Sequence, residues 1–374
     1  MRKMVLAVLI CCLFACGAAF AADDVIKIGF YNCLTGQNAF GGQLELEGVQ
    51  LALKEFPEVL GKKIELVIVD NKSDRVEAAN AVTRLIENDK VSAIIGTYSS
   101  SLAIAGGEVA EVGHVPVVAT SATNPLVTQG KKYTFRACFI DPLQGAGAAA
   151  YAYRNHNFKK AALLVDVASD YAVGLANFFK QNFTKLGGEI VSEMRYASGD
   201  QDFSAQLTEI ISKEPDVVFL PAYFAEGAMV IKQARDLGAK FTFMGGDAMD
   251  NPEMVTLAGE AIEGFLYTGF AYAPDMPDMN DVAKKFTENW YKEYSKDPNA
   301  NAALGYDSYL LIIDAIKRAD SADPEKIRDA LEATKDLMTV TGATTFDADH
   351  NPQKDVGILE IKGGKKVFAG TIVP

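Results

Sequence analysis

Two clusters of small hydroxyl side chains stand out, Thr97-Tyr98-Ser99-Ser100-Ser101 and Thr120-Ser121-Ala122-Thr123. Each follows a short apolar run, Val91 to Ile95 and Val115 to Ala119, that reads as a buried parallel strand. The first cluster passes through Gly96 and opens a small-residue helix expected over 102–112; Asn124-Pro125 ends the second. Hydroxyls and free N–H groups at the carboxyl ends of adjacent parallel strands, one set at a helix start, suit an anion. The pattern predicts a carboxylate, held by Ser100 and by the hydroxyl and N–H of Thr123. Asp247, in Phe243-Met-Gly-Gly-Asp247, closes a further expected strand over 241–244 and places an acid at the matching position later in the chain. Its competing reading is a helix N-cap. Donors for an anion facing an acid for a cation would hold a zwitterion, because a charge buried unpaired costs several kcal/mol. A free amino acid is such a ligand, its side chain needing an apolar pocket beside the polar grip.

Other motifs are weaker. Gly145-Ala-Gly147-Ala-Ala-Ala150 matches a dinucleotide-binding fingerprint, with Asp166 at a later strand end where a ribose-binding acid belongs. Pro142-Leu143-Gln144 separates those glycines from the preceding strand, so the tight strand-to-helix turn is missing, and close helix packing is the competing reading. Asp347-Ala-Asp349-His-Asn351 starts like a calcium loop, but Pro352 and Ile358 stand where glycine and glutamate are required. It reads as a turn. The histidines, His114, His156 and His350, are isolated, so no metal site is expected. No catalytic set and no cofactor is expected either.

The elements that position these residues alternate strand and helix. Strands are expected over 25–30, 64–69, 91–95, 115–119 and 133–140, with helices over 44–56 and 76–87 between them. A second series follows, with strands over 161–165, 189–195, 217–220 and 241–244 and helices over 145–154, 172–186, 203–212 and 226–237. The fold class is α/β, two Rossmann-like lobes with parallel sheets. After residue 270 come two amphipathic helices over 279–294 and 302–318, another helix from Asp323, and a hairpin expected around Asp347 to Asn351. The chain thus returns to lobe one and ends on lobe two, expected as 22–141 plus 271–349 and 142–270 plus 350–374. Several crossovers make a hinge, with the ligand in the cleft.

Residues 1–21 read as a secretory signal: Arg2 and Lys3, an apolar run from Met4 to Phe14, then Ala19-Phe20-Ala21. The run is shorter than the ~20 residues that span a bilayer. Leu13-Phe-Ala-Cys16 resembles a lipidation site, with Phe14 a poor fit, so cleavage after Ala21 is expected and a lipid anchor at Cys16 is the alternative. Cleavage leaves 353 of 374 residues, enough for two domains, and moves the net charge from −13 to −15. Such a surface repels nucleic acid and anionic lipid. Three of the five cysteines lie in the signal; Cys33 and Cys138 remain, read as two buried thiols rather than a bridge.

Taken together, IKIGF with LTG and GVQLALKEF, DNKSD, IIGTYSSS, VPVVATSATNP, DFSAQL, DVVFLPAYFAEGAMVIKQARDLG, FMGGDAMDNPEM and GYDSYLLIIDAI resemble the leucine/isoleucine/valine-binding family of type I periplasmic binding proteins. Those are solute receptors of branched-chain amino acid ABC transporters, and the resemblance covers essentially the whole mature chain. It implies a monomeric periplasmic receptor that closes on an amino acid and docks on a membrane permease. It places Ser100 and Thr123 on the carboxylate, the Ser121 carbonyl and Asp247 on the ammonium, and Ala122 on a wall between them. Tyr171 and Tyr223 fall on the lobe-two tyrosines that close over the ligand, and Phe40, Tyr98 and Tyr306 on side-chain pocket walls. Tyr98 is larger than the aliphatic residue the pattern leads one to expect, and Ser99 replaces a residue that is sometimes cysteine, which opens the pocket to other ligands. The same fold binding an amide, a urea or an aromatic acid is the second reading, and an exported NAD-dependent enzyme on Gly145 and Gly147 the third. Intact mass of the exported protein is expected to start at Ala22; a mass matching an acylated Cys16 would replace the free receptor with an anchored one.

Overall fold

The computed structural model describes residues 25–276 and 278–372. The expected signal, with Cys16, lies outside them. In chain order the elements are β1 (Val25–Asn32), α1 (Ala39–Glu55), β2 (Glu58–Val59), β3 (Lys62–Asp70), α2 (Arg75–Glu87), β4 (Ala93–Ile95), α3 (Ser100–Gly113), β5 (Val117–Ala119) and β6 (Thr134–Arg136). They continue with α4 (Asp141–Arg154), β7 (Lys160–Asp166), α5 (Asp170–Lys185), β8 (Glu189–Tyr196), α6 (Ser204–Ser212), β9 (Val217–Leu220), α7 (Phe224–Asp236), β10 (Thr242–Gly245), α8 (Glu253–Ala258) and β11 (Leu266–Phe270). The last are α9 (Asp281–Tyr294), α10 (Ala300–Ala319), α11 (Pro324–Glu332), β12 (Leu337–Thr339), β13 (Gly342–Thr344), β14 (Val356–Lys362) and β15 (Lys365–Ile372).

The strands form two principal sheets, ordered β2-β3-β1-β4-β5-β6 and β15-β14-β11-β10-β9-β7-β8. Within each, five consecutive parallel strands adopt the order 2-1-3-4-5, which is β3-β1-β4-β5-β6 in one and β8-β7-β9-β10-β11 in the other. The order reverses beside β1 and β4 in the first sheet and beside β7 and β9 in the second, and ligands of open α/β sheets sit at such points. The central strands β4, β5 and β9 are short and apolar because both faces are covered. Along β1, Ile26, Ile28 and Phe30 enter a core shared with α1, α9 and α10, while Tyr31 enters the opposite core with α2 and α3. Along β7, Leu163 and Val165 face α4 and α5, and Ala162 and Leu164 face α6 and α7. Each sheet with its helices is one lobe.

Three connections pass between the lobes, after β6, after β11 and after β13. The third is tied to lobe one by Lys354, whose buried ammonium lies 3.7 Å from the Asp307 carboxylate on α10. Asp307 also accepts the N–H groups of Val340 at 2.7 Å and Thr341 at 3.0 Å.

Two expectations are corrected. The expected strand over 133–140 forms only over Thr134–Arg136, and residues 137–140 instead carry the chain across to α4, with Ala137, Cys138 and Phe139 buried. The turn from Asp347 to Asn351 is flanked by one isolated bridge, Phe346 to Pro352, and the true hairpin is β14–β15, turning on Gly363-Gly364. Cys33 and Cys138 are both buried free thiols. Among the described residues no helix is long and apolar enough to cross a membrane.

The closest helix contact is α1 on α10. A Cβ on Gly48 would stand 1.9 Å from the Ala302 carbonyl oxygen, and one on Gly305 would stand 2.1 Å from the Glu45 carbonyl oxygen. Gly48→Ala is therefore expected to push the helices apart and lower stability by about 1–3 kcal/mol, read from the denaturant midpoint. An unchanged midpoint would show that α1 and α10 separate freely.

Candidate functional site

The carboxyl ends of both sheets meet at one place. From lobe one come Phe40 after β1, Tyr98 to Ser100 after β4, and Ser121 to Thr123 after β5. From lobe two come Tyr171 after β7, Tyr223 after β9 and Asp247 after β10. The chain leaves β4 through Gly96, whose φ of +136 and position 2.0 Å from the Tyr31 carbonyl oxygen, measured to a would-be Cβ, allow only glycine. α3 starts at Ser100, two residues earlier than its apolar pattern suggests, so its first N–H groups lie at the site.

The residues form a closed circuit. Ser100 Oγ accepts the Asn124 N–H at 3.2 Å, and next to Asn124 the Thr123 carbonyl accepts the Asp141 N–H at 3.0 Å. Gln144 Nε2 donates to Asp141 Oδ1 at 3.1 Å, and its Oε1 accepts the Asp247 N–H at 2.9 Å. Tyr171 donates its hydroxyl to Asp247 Oδ1 at 3.1 Å, and its ring lies 5.6 Å from that of Tyr223. The Tyr223 hydroxyl donates to Ser99 Oγ at 2.9 Å, which returns the circuit to Ser100. Tyr98 bridges the same gap, its ring 5.6 Å from Tyr223 and its hydroxyl 3.3 Å from the Ala248 carbonyl oxygen. Phe40 is half-buried and meets Phe224 of lobe two at 5.7 Å. Thr123 Oγ1 is buried without a hydrogen-bond partner.

Asp247 heads a short 3-10 turn, yet its carboxylate takes the Tyr171 hydroxyl and does not act as a cap. Among the described residues no lysine or arginine lies within ion-pair distance of it. Burial pushes its carboxyl up to about 7, against the pull of the Tyr171 hydroxyl. Asp141 is raised further, to about 8, by burial and then by the Asp247 charge. Arg136 is buried nearby, but its guanidinium is spent on the carbonyls of Ala122 at 2.7 Å and Asn124 at 2.9 Å, and on Thr128 Oγ1 at 2.9 Å. The arrangement is a buried polar seam between the lobes, with the Asp247 carboxyl on the lobe-two side and the unpartnered Thr123 hydroxyl on the lobe-one side.

Tyr306 is not part of it. α10 turns this ring into the lobe-one core, 5.1 Å from Phe286, with its hydroxyl toward Glu55 at the far end of α1. The dinucleotide reading also fails on packing: a Cβ on Gly145 would meet Phe178 at 2.6 Å and one on Gly147 would meet Ile372 at 2.0 Å, so both glycines seat neighbouring elements.

Three participants escaped the sequence reading. Asp141 and Gln144 lie in the first turn of α4, which the sequence places from Gly145 onward. Glu45 is buried on α1, accepting Asn32 Nδ2 at 2.6 Å, the Thr120 hydroxyl at 2.5 Å and the Ser121 hydroxyl. The Ser121 hydroxyl is thus committed to Glu45. A glutamate on the face of α1 that carries Gly41, Gly48 and Ala52 was the available signal.

A family model described as periplasmic binding protein matches residues 25–366, and the chain belongs to that family. Its fold is the type I form, two parallel α/β lobes. It is similar to a leucine binding protein from Thermotoga maritima MSB8, at 43% identity over 93% of this chain and 99% of that one, with a TM-score of 0.91. A branched-chain amino acid transporter substrate binding protein from Streptococcus pneumoniae, solved in complex with isoleucine, is 35% identical over 94% and 99%, with a TM-score of 0.87. An ABC transporter solute binding protein from R. palustris, solved with benzoate, is 25% identical over 94% and 97%, with a TM-score of 0.85.

Burial raises the Glu45 carboxyl from 4.5 to about 7, although three donors oppose it. The folded protein therefore keeps this proton to higher pH than the unfolded chain does, and Glu45 subtracts stability as pH rises from about 4.5 to about 7. Glu45→Gln is expected to match the wild type near pH 4.5 and to become the more stable protein by pH 8, by on the order of 3 kcal/mol. Urea midpoints for the two proteins that stay parallel across this range would show that burial does not govern Glu45.

Proposed function

We propose that the chain is the extracytoplasmic solute receptor of an ABC importer, and that its ligand is a free aliphatic L-amino acid gripped in the interlobe cleft. The observation that carries this reading is the circuit itself: the buried, unpartnered Thr123 hydroxyl and the start of α3 at Ser100 lie on one side of it, and on the other lies buried Asp247, with no lysine or arginine at ion-pair distance among the described residues. Ser100 and Thr123 take the ligand carboxylate; Asp247 and the Ser121 carbonyl take the ammonium, beside Ala122. Tyr171 and Tyr223 close over the ligand from lobe two, and Phe40, Tyr98 and Ser99 line its side chain. Lobe one is built on the sheet β2-β3-β1-β4-β5-β6 and lobe two on the sheet β15-β14-β11-β10-β9-β7-β8, with His350 and Lys354 of the third connection held on lobe one by the Thr134 carbonyl and Asp307, and closure is a rotation about the three connections. The receptor works as a periplasmic monomer that delivers its ligand to a membrane permease, and it does no chemistry on the ligand. Its likeness to proteins named for leucine and for branched-chain amino acid transport supports the ligand class.

The tyrosines around the gap and the likeness to a benzoate-bound protein favour one second reading, an aromatic acid. Such a ligand has no ammonium and leaves Asp247 stranded, so the two readings differ in what Asp247 does. Calorimetry is expected to show tight binding of leucine, isoleucine and valine, with neighbours in size separated by about fourfold, as one methylene is worth ~0.8 kcal/mol. Asp247→Ala is expected to weaken leucine by roughly 3–5 kcal/mol, the cost of a buried unpaired charge. Binding of benzoate that ignores this substitution, with no heat from leucine, would transfer the site to aromatic acids.

A further inference from the structure

Asp170 is the first residue of α5 in lobe two, and it is held by three separate elements of lobe one. Its N–H donates to Ser101 Oγ at 3.0 Å. Its carbonyl accepts Asn124 Nδ2 at 2.7 Å. Its carboxylate pairs with the Arg75 guanidinium at 2.7 Å, and the same guanidinium reaches the Ala168 carbonyl at 3.2 Å. Room for this approach is left by Gly174, one turn along α5, where a Cβ would stand 2.7 Å from Asn124 Nδ2.

The partners are not scattered. Ser101 and Asn124 directly follow Ser100 and Thr123, so each hydroxyl-bearing strand end presents one residue to the gap and the next residue to Asp170. On the other side, Asp170 directly precedes Tyr171, whose hydroxyl lies on Asp247. Ser169 caps α5 by accepting the Ala172 N–H at 3.2 Å, which holds Asp170 and Tyr171 in one rigid first turn. We propose that Asp170 is a positioning residue for ligand capture, a clasp that Ser101, Asn124 and Arg75 hold and that sets Tyr171 and Asp247 over whatever occupies Ser100 and Thr123. The clasp acts after encounter, because its contacts form only when the lobes meet. It therefore governs how long a ligand stays and leaves the rate of entry unchanged. The Arg75 and Asp170 side chains are 51% and 35% exposed, so their pair is screened by solvent and adds a modest share to the two hydrogen bonds.

This inference takes its ligand from the proposal above, and the test separates the two. L-leucine dissociation and association are followed by stopped flow in the wild type, Ser101→Ala, Arg75→Gln, Arg75→Glu and the exchanged pair Arg75→Glu with Asp170→Lys. Spin labels on one outer helix of each lobe report the interlobe distance in the same proteins without added leucine. Each single variant is expected to speed dissociation about two- to fivefold, with association and melting temperature unchanged. Arg75→Glu should also shift the distance distribution toward wider separations, and the exchanged pair should restore both readouts. If leucine does not bind, the distance shift and its restoration still support the clasp while the ligand reading fails. Unaltered dissociation and distances in Ser101→Ala and Arg75→Glu would overturn it, as would an exchanged pair no closer to the wild type than Arg75→Glu alone.

Discussion

An ionised carboxylate cannot lie in a dry interior without a partner of opposite charge or a proton. Asp247 has neither a lysine nor an arginine beside it among the described residues, and the buried Arg136 is bound to backbone carbonyls. The architecture around it follows from that constraint. Tyr171 and Gln144 hold Asp247 at the lobe-two face of the gap, and the donors that face it come from two strand ends of the other lobe.

The two sheets deliver this arrangement because they share one strand order. In each, the reversal in order opens a crevice at the carboxyl ends, and the crevices face one another. Strand-end loops and the first turns of the helices that follow them are then enough to build the site. Rigidity behind the loops comes from contacts such as Glu45 on Thr120 and Ser121, and Arg136 on Ala122 and Asn124, which fix the second hydroxyl cluster from both sides. The walls are set before any ligand arrives.

Much of this was legible in the sequence. Alternating apolar runs and helices defined two parallel-sheet lobes, and strand-end residues such as Ser100, Thr123 and Asp247 declared themselves by position. What failed did so for physical reasons. Residues 133–140 are rich in aromatic and β-branched side chains, and such a run does not distinguish a paired strand from a buried crossing. β15, with Lys365, Lys366 and exposed Phe368, has the mixed surface of an edge strand and lacks a clear alternation. Tyr306 matches a pocket position in the linear pattern, but the turn of α10 sends its ring to the far side. Asp141 and Gln144 were missed because a pattern read for apolar faces begins α4 only at Gly145, and Glu45 because its one mark, an acid on the small-residue face of α1, carries no apolar periodicity.

The seating of α10 on α1 reaches back to the order in which the chain is made. α1 lies near the N-terminus, yet the surface it needs at Gly48 is supplied by Ala302 and Gly305, synthesised after the whole of the second sheet's parallel portion. That second sheet in turn receives its last two strands from the C-terminal hairpin. The first lobe is finished only after most of the second has been made, so no N-terminal fragment of this polypeptide that stops short of α10 contains a completed unit.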